Sequence, residues 1–127
     1  MKNIKTVFIT LVGLIYFSSC YYDVEQELYP NQGTCDTSNV SLSGVVRPIL
    51  QDECYVCHSV SASGSLGAGI NLETYSNLKA QVDNGKLLKS IKHESGASPM
   101  PKGSSAKIDA CKILKIQTWI IRGAKND

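Results

Sequence analysis

The chain has 127 residues, is 43% hydrophobic and carries a formal charge of +2, which suits one domain with a modest core. So small a net charge argues against nucleic acid as a partner.

Lys2 and Lys5 precede an apolar run from Val7 to Phe17 that is too short to span a bilayer comfortably, and Ser18-Ser19-Cys20 closes it. Small residues leading into a cysteine resemble a bacterial lipobox. In that reading residues 1–19 are a lipoprotein signal peptide and Cys20 is lipidated as the new N-terminus. Phe17 stands where a lipobox more often has an aliphatic residue, and an ordinary signal peptide or a short N-terminal anchor is the plainer alternative. The expected location is the cell envelope, facing the periplasm or the outer surface. Loss of Lys2 and Lys5 brings the 13 basic residues level with the 11 acidic ones.

Residues 20–41 are expected to form a lipid-anchored tether that ends in an N-terminal segment. Within it, residues 21–34 (YYDVEQELYPNQGT) are polar, acidic and aperiodic, and fully extended they reach about 45 Å. Residues 42–127 are expected to form the folded domain. Val45, Val46, Ile49 and Leu50 share one helical face, and Pro48 confines the start of that helix to Ser43 or Gly44, with its end near Glu53. Ser59–Gly69 is a Gly/Ser-rich loop. Helices are expected over Glu73–Val82, halted by Asn84-Gly85, and over Lys86–Lys92, with Leu87, Leu88 and Ile91 facing inward. A second loop, 94–105, is stiffened by Pro99 and Pro101. A last helix, with Ile113, Ile116, Trp119 and Ile120 at helical spacing, should run from Ala106 to Arg122 and end at Gly123. No strand pattern exceeds Ile70–Leu72. The fold class is all-α, with about four helices and long Gly/Ser/Pro loops.

The segment Cys54-Tyr55-Val56-Cys57-His58 is C-x-x-C-H, the c-type haem attachment signature. Two thiols two residues apart can add to the two vinyl groups on one porphyrin edge. The adjacent histidine is then carried to the iron, so one motif supplies both tether and axial ligand. A thioredoxin-like redox pair would need a βαβ setting, which is absent. Half a zinc site would need two more ligands at close spacing, whereas Cys35 and Cys111 stand far apart. Of the five cysteines, lipid takes Cys20 and haem takes Cys54 and Cys57. An oxidising compartment then favours a disulfide between Cys35 and Cys111.

A sixth iron ligand is expected from Met100, the only methionine left once Met1 is removed, held between Pro99 and Pro101. The plain alternative is that Met100 merely packs. His93 is the rival ligand, and it would give a bis-histidine haem of lower potential.

These residues resemble the small monohaem class I cytochrome c domains, and most of all a bacterial envelope branch often found as lipoproteins. The resemblance runs from Val45–Leu50 through Cys54–His58, Gly69–Leu72 and Gly85–Leu88 to Met100–Gly103 and Ile116–Ala124. It implies one covalent haem c as cofactor, with first and last helices that cross, and axial ligands His58 and Met100. The implied function is one-electron transfer between envelope redox partners, without enzymatic activity. The competing class is a haem-based ligand sensor or peroxidase-like protein in which Met100 is displaced, and a third is a metal-binding or structural module without haem. Ten Lys or Arg against three acidic residues make 79–125 basic. Lys92, Lys102 and Lys107 near Met100 could select a partner with an acidic docking face, or could be only solvated surface.

Overall fold

The computed structural model describes residues 35–127. The expected signal peptide, the expected lipidation site Cys20 and the acidic stretch 21–34 lie outside the described residues. Among the described residues the chain is helical without strands, and no helix is long and apolar enough to cross a membrane.

The first helix opens with a π turn, Leu42–Val46, and continues as α1, Arg47–Glu53. Ser41 caps it, its Oγ accepting from the Gly44 N–H at 3.1 Å. A proline ring clashes with the carbonyl four residues back in a regular helix, and the wider winding lies immediately ahead of Pro48. The helix therefore begins slightly before the expected Ser43 or Gly44. At Cys54 the backbone departs from helical geometry, with φ −125°. A further turn, α2 (Tyr55–His58), then follows.

The next helices are α3, Tyr75–Asp83, and α4, Lys86–Lys92. Helix α3 starts two residues later than its composition suggests. Asn71 Oδ1 accepts from the N–H groups of Glu73 (2.7 Å) and Thr74 (3.3 Å), which holds both in a turn. Gly85 separates the pair with φ 73°, a conformation that favours glycine.

The last helix, α5, spans Ala110–Ile121 rather than beginning at Ala106. Asp109 is the reason: its Oδ1 accepts from Cys111 N (2.9 Å) and Lys112 N (3.1 Å), so the helix nucleates there. Its C-terminal end closes as expected on Gly123, with Gly123 N bonded to Ile120 O and Ala124 N to Trp119 O. Five α-helices thus stand among the described residues where about four were expected. The additional one is the short turn carrying the C-x-x-C-H motif.

Helix α5 packs against both the π turn and α4, and α3 packs on α4. Leu42, Val46 and Leu50 meet Ile116 and Trp119 in the core, with Leu78, Leu87 and Ile91 from the central helices. Each such aliphatic burial is worth about 1.5–3 kcal/mol. Trp119 is almost wholly enclosed, and its indole N–H donates to Lys125 O at 2.9 Å. Residues 35–41 join this unit: Val40 is buried, and the Arg122 guanidinium donates to Ser38 O at 3.0 Å. The N-terminal segment thus packs on the domain before residue 42.

Candidate functional site

A cavity of about 510 Å³ opens beside this core, within the roughly 300–1,000 Å³ usual for cofactor-sized sites. Its lining includes Cys54, Cys57 and His58 with Leu66, Gly67, Ile70 and Leu72, and from a later segment Met100, Pro101 and Ile108. Leu87 and Ile91 also line it, so most of its surface is apolar.

The first group follows from local helical geometry. The N–H groups of Cys57 (3.1 Å) and His58 (2.8 Å) both bond Cys54 O. Side chains three and four residues apart share a helix face, so this one turn presents both thiols and the imidazole together. The thiols are free of each other and half-buried. Burial, helped by the neighbouring Glu53 carboxylate, pushes the Cys54 thiol up to about 11, which keeps it protonated at neutral pH. Glu53 in turn pairs with Lys112 of α5 in a part-buried contact.

The loop from Ser59 to Leu72 folds back onto His58. His58 Nδ1 lies 2.8 Å from Ile70 O, and Leu72 N donates to His58 O at 2.8 Å. Because a carbonyl only accepts, Nδ1 carries the proton and the Nε2 lone pair remains available to a metal. Glu73 closes the loop by accepting from Val60 N at 2.7 Å. Gly67 is buried against this turn. A Cβ there would overlap the Cys57 carbonyl oxygen and stand 2.9 Å from His58 Nδ1. Sequence reasoning passed over Gly67 because it sits among other loop glycines, and only the folded loop reveals the close approach.

Met100 is half-buried, and its N–H donates to Ser90 O at 3.1 Å. His93, the rival ligand by sequence, is not among the cavity-lining residues but reaches the backbone of one of them. Its Nε2 lies 2.9 Å from Met100 O. Lys102 lies at the cavity mouth, Lys107 is exposed nearby, and Lys92 pairs with Glu94 at 3.2 Å. Cys35 and Cys111 stand at disulfide distance with Cα atoms 5.5 Å apart, which links the N-terminal segment to the first turn of α5. Among the described residues no group of three or more His, Cys, Asp or Glu side chains is placed to hold a metal ion.

No family model, curated protein or solved structure matches the chain.

Proposed function

We propose that this protein is a monohaem cytochrome c domain of the class I type that carries single electrons in the bacterial cell envelope. The observation that carries the reading is the convergence of Cys54, Cys57 and His58 with the distant Met100 on one largely apolar cavity. Haem c, when bound, supplies a one-electron iron couple. Cys54 and Cys57 would hold it through two thioethers, each made by adding one S–H across one vinyl double bond. His58 would ligate iron through Nε2, oriented by its Nδ1–H bond to Ile70 O. Met100 would supply a thioether ligand, which would favour the ferrous state more than an imidazole would and so raise the potential. The apolar walls exclude water and preserve the ligand set.

The signal-like residues 1–19 and the lipobox-like Cys20 support an anchored lipoprotein facing the periplasm or outer surface. The competing sensor or peroxidase-like reading draws on Met100's position in a loop rather than a helix.

The test is spectroscopic. Purified protein should give a pyridine haemochrome, and the haem should stay with the polypeptide after denaturation and extraction with acidified organic solvent. Freely extracted haem, or none, overturns the reading. Met100→Ala should keep the covalent haem while losing the low-spin six-coordinate spectrum and lowering the potential. A wild-type iron that is already five-coordinate, or that binds small ligands without resistance, would favour the sensor reading.

A further inference from the structure

His93 is better explained by what it holds than by what it could ligate. Helix α4 ends at Lys92, and His93 follows in the left-handed region with φ 55° and ψ 38°. Glu94 N bonds Lys89 O at 2.9 Å and His93 N bonds Ser90 O at 3.2 Å, which closes the helix with His93 in the place glycine usually takes. Histidine tolerates that conformation better than most side chains. The reversal turns the imidazole toward the loop, where Nε2 meets Met100 O at 2.9 Å. A carbonyl has no proton to give, so Nε2–H is the donor.

The other backbone group of Met100 is held from the same place, its N–H donating to Ser90 O at 3.1 Å. Ser90 and His93, both at the C-terminal end of α4, therefore hold both backbone polar groups of Met100. Met100 lines the cavity, whereas His93 does not.

We infer that His93 is a positioning residue: its imidazole N–H, acting with the Ser90 carbonyl, holds the Met100 backbone so that the thioether is presented to the cavity. This rests on the reading of Met100 as an axial ligand. A single hydrogen bond of ordinary net strength corresponds to roughly three- to tenfold in the equilibrium between bound and displaced thioether. Its loss should appear mainly as easier replacement of Met100 by an added ligand.

The experiment uses the full haem-loaded protein and imidazole as the competing ligand of the ferric form. His93→Gly keeps the left-handed backbone accessible while removing the donor, so it should fold with an unchanged or raised thermal midpoint. Its imidazole affinity should rise roughly three- to tenfold. His93→Gln restores an N–H donor and should move the affinity back toward wild type. Wild-type affinity in His93→Gly overturns the proposal, whether or not the midpoint moves. Equal affinities in the Gly and Gln variants also overturn it. Met100→Ala separates the two levels: an unchanged spectrum there refutes the axial reading itself. If His93→Gly then abolishes the six-coordinate spectrum, His93 is the ligand and the positioning role is wrong.

Discussion

The two sides of the cavity are built by different means. The Cys54–His58 side is a helical turn gripped by its own following loop through Ile70, Leu72 and Gly67, all within a short stretch of chain. The Met100 side is a loop bonded to the end of α4 through Ser90 and His93, and it re-enters regular structure at the Asp109 cap. Local hydrogen bonds and close packing make the first side a rigid seat. The second is a strap whose geometry depends on where two helices end. If the cavity holds haem as proposed, this contrast would place any exchange of ligand on the Met100 side, since loops with few internal bonds open at low cost.

The strongest way to probe the strap is at its far end. If Cys35 and Cys111 are bonded, the start of α5 is clamped just beyond the Met100 loop. Replacing both by Ala should then cost about 2–4 kcal/mol in denaturant unfolding, less whatever the covalent haem already contributes by restricting the unfolded chain. Mass spectrometry of an unreduced digest should show the Cys35–Cys111 peptide pair, and two alkylatable thiols in fresh material would remove the clamp.

The seat should respond to a smaller change of a different kind. Gly67→Ala forces a methyl group onto the Cys57 carbonyl and His58 Nδ1, and overpacking of this sort costs about 1–3 kcal/mol. The iron spectrum should show disturbed histidine ligation while imidazole affinity on the Met100 side changes little. A variant of wild-type stability and spectrum would mean that the loop yields and the seat is not rigid.

The smallest effect concerns charge at the rim. Lys102 and Lys107 are exposed beside the strap, whereas Lys92 is engaged by Glu94. Changing Lys102 and Lys107 to Gln should leave stability within about 0.5 kcal/mol. Electron transfer to an acidic partner protein should slow, and its dependence on ionic strength should weaken. Rates that ignore both the substitutions and salt would assign these lysines to solubility alone.

Much of the fold was legible because its signals are local. The apolar spacing of Val46, Ile49 and Leu50, and of Ile116 and Trp119, marks helices whatever surrounds them, and these residues are buried. Asn84-Gly85 and Gly123 mark ends because left-handed backbone favours glycine. The starts were harder to place. Asn71 and Asp109 each bond nearby backbone N–H groups, and composition alone does not say which polar residue wins that competition.

For the site, the sequence by itself determined that Cys54, Cys57 and His58 act from one short segment, because C-x-x-C-H spacing keeps them together without any distant contact. The helical turn at Tyr55–His58 was added by the fold. The sequence also put Met100, held between two prolines, ahead of His93 as the second ligand expected. Only the tertiary structure decided the left-handed turn at the end of α4, which brings the His93 Nε2 to 2.9 Å from Met100 O. The approach of Gly67 to His58 was likewise decided only in three dimensions. Both features join residues through packing between separate segments, and neither spacing nor propensity records which atoms folding brings into contact.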